Sequence, residues 1–322
     1  MSTYKTEGII IKRNNFLESS LILNIWTKDY GKVEAVARSA RKAKGKLKGH
    51  LELFLDTELI LAHGKNLDTI TSSLATESFL NLRDDLEFSF AAYYILELVD
   101  RLTAEGHQDE KIFCLLKEVL LFLDDIVKDL SLQGAERQSN PVTTCKEFNY
   151  GIASSLNYPL DNFTPRNDLN LLILLFQTNL LNLTGFSPEL NKCVLCGEPI
   201  KAGKNYFDFS RGGVLGSECS AIKFSKSLTG RCESSFISNA DAREGSRLSA
   251  FISDNAIKLL RLFQFKGGDV KEYNSHLNKC FEIIVKLKVD EKLILDSVFL
   301  MNRFIEFNVE KKIKGIDFLR GV

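Results

Sequence analysis

The stretch Arg38-Ser39-Ala40-Arg41-Lys42-Ala43-Lys44-Gly45-Lys46-Leu47-Lys48 carries six basic residues and no acidic one. An apolar, β-branched run, Lys32-Val33-Glu34-Ala35-Val36-Ala37, ends in front of it, and His50-Leu51-Glu52-Leu53-Phe54-Leu55 follows. Small residues, with Gly45 and Gly49, leave the tract without an apolar face of its own. It reads as a flexible basic loop carried between two strands. Such a loop suits phosphate, because each Lys or Arg that neutralises a phosphate releases condensed counterions. Taken alone, the run is as well explained by a solvated loop with no partner. Its surroundings tip the reading.

Working outward, the chain from residue 1 to about 80 is punctuated like a small β domain. Gly8–Ile11, Leu21–Trp26, Lys32–Ala37, Thr57–Ala62 and Leu67–Ser72 are short strand-like runs. Asn14-Asn15, Lys28-Asp29-Tyr30-Gly31, Gly45, Gly49 and His63-Gly64-Lys65-Asn66 supply the turns. This spacing fits a five-stranded barrel of the oligonucleotide-binding type, with a small sandwich as the structural alternative. Aromatic and basic residues are interleaved in it: Tyr4, Lys12, Arg13, Phe16, Trp26, Lys28, Tyr30 and Lys32. Single-strand binders combine a cationic groove with aromatic stacking platforms. Trp26, in an apolar strand, reads as core, whereas Tyr30, in a turn, is the better platform.

Beyond residue 82 the periodicity becomes helical. Apolar residues recur at Phe88, Ala91, Ala92, Ile95, Leu98, Val99 and Leu102, and again from Ile112 to Val127. Further helices are expected over about 168–183, 255–265, 271–287 and 292–307. Residues 131–166 and 228–250 are polar, variable connections; 146–154 could continue helical, but the pattern there does not force a structure. The fold class is therefore α+β. Residues 1–82 form the barrel, 83–185 and 251–322 a helical domain, and 186–227 a Cys- and Gly-rich insertion.

Composition narrows the function. With 42 Lys and Arg against 42 Asp and Glu, no global field draws this chain of 322 residues onto a polyanion, so binding must be local. The most apolar stretch, Leu169–Leu183, is interrupted by Asn170, Gln177, Asn179 and Asn182, which argues against a membrane span. Seven scattered Cys and no secretory signal point to a soluble protein of the reducing cytoplasm. There, close-set thiols more often hold metal than pair.

Cys193-Val194-Leu195-Cys196-Gly197 is such a knuckle, two thiolates aimed by a tight turn. Gly216-Ser217-Glu218-Cys219 looks like its partner with one ligand missing. Structural zinc wants four protein ligands. Cys232, Glu218 or a water could complete Cys193, Cys196 and Cys219, or the knuckle has lost its metal and is held by packing. Catalytic signatures are missing: the four His are scattered and there is no phosphate-binding loop, hence no expected nucleotide cofactor. Asp84-Asp85 and Asp124-Asp125 read as solvated helix faces. The chain reads as a binding protein rather than an enzyme.

Several of these stretches resemble the bacterial RecO family of DNA repair proteins. Thr6–Lys12, Glu18–Leu23, Trp26–Lys32 and Ala37–Lys42 are similar to its barrel. Leu183-Thr184-Gly185-Phe186-Ser187-Pro188-Glu189-Leu190 leading into Cys193-x-x-Cys196-Gly197, with Phe209-Ser210 and Gly212-Gly213, resembles its central motif. The end from Leu293 to Leu319 is similar to its closing helix and tail. The chain departs at the two variable connections and at Gly216, where zinc-bearing members have Cys.

The resemblance implies a recombination mediator with an oligonucleotide-binding barrel, a helical domain and a zinc-finger-like insertion. It would bind single- and double-stranded DNA, anneal complementary strands, and with RecR help load RecA on DNA coated by single-strand binding protein. It would work in the cytoplasm, at the nucleoid. The residues expected at DNA are Lys12, Arg13, Lys28, Tyr30, Arg38, Arg41, Lys42, Lys44, Lys46 and Lys48. The acidic, apolar tail of single-strand binding protein is expected on Lys258, Arg261 and Lys266, beside Leu259, Leu262, Phe263 and Phe265. A second place for it is Arg303 and Lys311 beside Phe304 and Phe307. An RNA-binding barrel is the alternative, since the same fold and charge serve RNA.

Overall fold

The structure, a computed structural model, describes residues 2–41, 49–136, 165–221 and 248–315. Lys42, Lys44, Lys46, Lys48, the stretch 146–154, Cys232 and most of both variable connections lie outside the described residues.

Five strands close a barrel in the order β1-β2-β3-β5-β4: β1 Thr3–Phe16, β2 Ser20–Thr27, β3 Gly31–Ala37, β4 Leu55–Ala62 and β5 Asp68–Ser78. β1 is longer than the apolar run at its centre because it serves two neighbours. Its first half pairs with β4 (Thr3↔Ala62 to Ile9↔Asp56) and its second with β2, as far as Phe16↔Ser20, across a bulge at Ile10/Lys12. A short parallel pairing, Ala35↔Asp68 and Val36↔Thr69, shuts the seam between β3 and β5. Alternate residues face inward, as the pleat requires: Leu21, Leu23 and Ile25 meet Ala35, Ala37, Leu59, Leu61 and Ile70. Ala40 and Leu51 join that core, so the basic loop is anchored at both feet. Trp26 is fully buried, as its apolar strand implies.

After a 3-10 turn at Asn81–Arg83 come α1, Leu86–Leu102, and α2, Glu110–Glu136. Asp85 caps α1, accepting from the N–H groups of Glu87 at 2.9 Å and Phe88 at 3.1 Å. The expectation of a solvated face fails for Asp124. It is buried and accepts from Asn81 Nδ2 at 2.7 Å and Leu82 N at 3.0 Å, holding the 3-10 turn onto α2. The remaining helices are α3, Pro165–Leu183; α4, Asp254–Phe263; α5, Val270–Lys286; and α6, Glu291–Val309. A three-stranded sheet in the order β7-β6-β8 joins β6, Asn205–Asp208, and β7, Gly213–Leu215, to β8, Ser249–Ile252.

These elements gather into two compact units. One draws on Met1–Phe163, Gly267–Val285 and Ile313–Val322, the other on Thr164–Lys266 and Lys286–Lys312. In the first, Phe122 of α2 stacks on Phe281 of α5 at 4.9 Å. The second is centred on α3, where even Gln177, Thr178 and Asn179 are buried. Their N–H and O–H donors find partners nearby. Asn179 Nδ2 donates to Leu175 O at 2.9 Å and to Phe263 O at 3.0 Å, and Asn182 Nδ2 to Phe265 O at 2.7 Å. Asparagines of α3 thus satisfy one carbonyl at the end of α4 and one just beyond it.

Candidate nucleic-acid interface and cysteine cluster

On the barrel, the turn between β2 and β3 is fixed from several sides. Thr27 Oγ1 accepts from Tyr30 N at 3.1 Å and donates to Gly31 O at 2.8 Å. Gly31 has φ +66, and a Cβ there would stand 2.0 Å from His107 O, so only glycine fits. Tyr30 is thereby held at the surface, tilted against Tyr4 with ring centroids 4.6 Å apart. On the other side of Tyr4, His63 stacks at 4.6 Å. Tyr4 donates its hydroxyl to Asp68 at 2.5 Å, and burial together with that carboxylate raises its pKa well above the ordinary phenol value. The result is a row of three rings, Tyr30–Tyr4–His63. His63 has no recognisable role in the sequence; the pairing of β1 with β4 sets it beside Tyr4.

Three of the expected DNA-contacting cations have carboxylate partners. Lys12 meets Asp100 at 3.0 Å, Lys28 meets Glu110 at 3.3 Å, and Arg13 pairs with Glu52. Lys32 also reaches Asp100, at 2.7 Å. Burial would raise the Asp100 pKa, but Lys32, Asn24 and Lys12 together bring it down to about 2. Arg38 and Arg41 are exposed at the foot of the loop. A cavity of about 210 Å³ opens there, lined by Arg13, Ala40, Arg41, Gly49, Leu51 and Glu52. The structure thus brings Arg13 and Arg41 together and ties Lys12 to α1.

The cysteine cluster is built by short local hydrogen bonds. Gly197, at φ +78, donates to Cys193 O at 2.9 Å, and Cys193 N donates to Glu198 O at 2.8 Å. Val194 N bonds Val214 O at 3.0 Å, which lays the knuckle against β7. The Sγ atoms of Cys193, Cys196 and Cys219 all lie within 4.8 Å of one another. Gly216 N donates to Cys193 Sγ at 3.4 Å. Burial works against the Cys193 thiolate, but the N–H groups of Gly216, Cys196 and Leu195 win and bring its pKa down to about 7. The Cys219 thiol is pushed up to about 12, foremost by its hydrogen bond with Cys196. Three sulfurs within reach of one another, one of them with backbone N–H groups that favour its thiolate, suit a thiophilic cation such as zinc. Cys232 lies outside the described residues. Glu218 is exposed and stands 4.0 Å from Lys201.

Of the residues expected at a partner tail, Lys258 and Lys266 are exposed. Arg261 is used within the fold, its Nε donating to Leu190 O at 3.1 Å. Leu259, Phe263 and Phe265 are buried, whereas Leu262 is open. The second place differs. Arg303 lies 4.8 Å over the Phe209 ring, Phe304 is buried and Phe307 is exposed. Arg303 also borders a groove of about 300 Å³ lined by Phe251, Ile252, Leu293, Phe299 and Leu300, which sequence reading missed.

The family described as "Recombination protein O N terminal" matches residues 1–79, and "Recombination protein O C terminal" matches 83–133 and 156–280. The chain belongs to the RecO family. The N-terminal match spans the whole barrel, and the oligonucleotide-binding fold read from the strand spacing stands. The C-terminal match runs through the cysteine cluster. Among curated relatives, the DNA repair protein RecO of Roseiflexus sp. (strain RS-1) is 32% identical over 319 residues, 99% of this chain and 86% of the relative. DNA repair protein RecO of Dehalococcoides mccartyi (strain ATCC BAA-2266 / KCTC 15142 / 195) is 28% identical over 313 residues, covering 97% and 93%. That of Desulforamulus reducens (strain ATCC BAA-1160 / DSM 100696 / MI-1) is 25% identical over 319 residues, covering 99% and 94%. Among the described residues, no helix is long and apolar enough to cross a membrane.

Proposed function

We propose that this protein is a DNA repair protein that acts as a recombination mediator and does its work by binding rather than by catalysis. It binds single- and double-stranded DNA on the barrel, anneals complementary strands, and with RecR helps load RecA on DNA coated by single-strand binding protein. It does so in the cytoplasm, at the nucleoid. The observation that carries the reading is a RecO-family barrel with an exposed Tyr30 in a three-ring row and a separate basic loop rooted in the core. Rings accept bases whatever their sequence, and cations accept phosphates whatever theirs.

On this reading Tyr30 stacks a base. Arg38, Arg41, Lys42, Lys44, Lys46 and Lys48 track the backbone, with Arg13 and Lys28 able to exchange carboxylate for phosphate. The tail of single-strand binding protein docks on an apolar surface rimmed by cations. The groove beside Arg303 supports that role better than Arg261, whose guanidinium is already engaged; Lys258 and Lys266 remain as exposed cations near it in sequence. A zinc ion at Cys193, Cys196 and Cys219 would have a structural use.

The deciding experiment is annealing of complementary oligonucleotides coated with single-strand binding protein, in the absence of ATP. Acceleration by the full-length protein is expected. Failure to bind or anneal DNA, with tight binding that depends on the 2′-hydroxyl, would favour the RNA-binding alternative instead.

A further inference from the structure

The second knuckle has a glycine where a fourth ligand would stand, and the structure shows what that glycine leaves behind. Gly216 sits beside the three sulfurs and donates its N–H to Cys193 Sγ at 3.4 Å. A Cβ built on it would meet nothing closer than 3.9 Å, its neighbours being Cys193 Cβ, Ile200 Cδ1 and, at 4.0 Å, Cys193 Sγ itself. A side chain could thus start here in ordinary van der Waals contact, with no clash. The Gly216 backbone is not in the left-handed region, so nothing in the conformation demands glycine. Among the described residues, no other His, Cys, Asp or Glu joins the cluster. Cys196 is exposed and Cys219 and Gly216 are half-buried, so the cluster can be reached from solvent.

We propose that Cys193, Cys196 and Cys219 form a three-thiolate cation site whose fourth coordination position is left open, at Gly216, to an exogenous ligand. This rests on the structural-zinc reading above and changes what the site does. A site closed by four protein ligands holds its ion inertly, whereas one with three keeps an exchangeable position. Solvent occupies that position by default. A small-molecule thiol is the class of ligand that best matches three sulfurs already present. The ion then exchanges readily, and its retention follows the surrounding thiol concentration.

The test loads the full-length protein with cobalt(II) as a spectroscopic stand-in for zinc and titrates it with 2-mercaptoethanol. A saturable change in the d–d and sulfur-to-cobalt bands is expected for the wild type. Gly216→Cys should show the four-sulfur spectrum from the start, ignore the added thiol, and release zinc to a chelator at least 10-fold more slowly. If Gly216→Cys does not fold, the wild type and Cys232→Ser decide. A wild-type spectrum indifferent to thiol that becomes responsive in Cys232→Ser means the chain closes its own site, and the open position is overturned. A wild-type spectrum indifferent to thiol with Cys232→Ser equally indifferent overturns it too. A folded protein that takes up neither cobalt nor zinc overturns both this proposal and the structural-zinc reading.

Discussion

Lys32 of β3 and Asp100 of α1 are joined twice: the Lys32 ammonium stands 2.7 Å from the Asp100 carboxylate and 2.6 Å from the same residue's carbonyl oxygen. Both side chains are nearly buried, and Asn24 Nδ2 completes the site at 3.0 Å. Removing Lys32 leaves a carboxylate sheltered from water, supported by Lys12 and Asn24. Lys32→Ala should cost about 2 kcal/mol of unfolding free energy. Lys12→Ala, whose side chain is 46% exposed, should cost less than about 1 kcal/mol. Urea unfolding of the two variants gives the comparison, and equal losses would show that the second bond made by Lys32 contributes nothing.

The same carboxylate fixes an acid limb. The Asp100 pKa is about 2 in the folded protein against an ordinary 3.8, so its contribution is complete above about pH 4 and fades as pH falls toward 2. The amount is roughly 2 kcal/mol or less. Asp100→Asn should flatten the fall in stability between those pH values, measured by unfolding at each.

Inside the barrel's unit, Asp56 of β4 is fully buried and shares the Lys117 ammonium with Glu7, each at 2.7 Å. Burial lifts the Asp56 carboxyl to about 7, against the pull of Lys117. A carboxyl whose pKa is raised on folding favours the protonated fold, so its contribution is lost as pH rises from about 4 through 7. Lys117→Met removes the cation paired with Asp56, so the loss should be about 3–5 kcal/mol and larger at pH 8 than at pH 6. Pairing it with Asp56→Asn should recover part of the loss and remove the pH difference.

At the DNA surface, replacing Arg41, Lys42, Lys44 and Lys46 by Ala should weaken binding to all sequences alike. The slope of log affinity against log salt should fall by about 0.7 for each single-strand phosphate no longer neutralised, or about 0.9 for each duplex phosphate. An unchanged slope would rule out phosphate binding by the loop.

Tyr30→Ala should lower single-strand affinity by about 1–3 kcal/mol and duplex affinity much less, since only a single strand offers base faces free to stack on a side chain. Fluorescence anisotropy with matched oligonucleotides separates the two. A uniform loss across both substrates would assign Tyr30 to the stability of the turn instead.

Much of the barrel was legible because its code is local. Alternating Leu21-Leu23-Ile25, the Tyr30-Gly31 turn and the tract at Arg38 each mark themselves within a few residues. The small sheet was not, because β6 and β8 are four residues each and meet only after a long intervening connection. Asp124 was misread for a related reason. An acidic pair on an amphipathic helix normally faces water, and its partner, the 3-10 turn, lies far away in sequence. The partners of the expected cations were hidden for the same reason. Arg13, Lys28 and Arg261 look alike in sequence to the cations of the loop, but each meets an acceptor that only tertiary pairing supplies.

The two compact units are laced through one another along the chain. It passes between them at residues 163–164, 266–267, 285–286 and 312–313. α5 and the buried Ile313 come late in the sequence but belong with the barrel's unit, where Gly315 N donates to Glu97 at 3.0 Å. No single cut can therefore release either unit whole. A ribosome must deliver residues beyond 310 before the barrel's unit has all its parts. Folding waits for distant segments to return, which slows it and leaves the early barrel exposed meanwhile. Dissection of this protein by truncation should yield fragments that aggregate, and substitutions within one unit of the full chain are the better way to separate what each unit does.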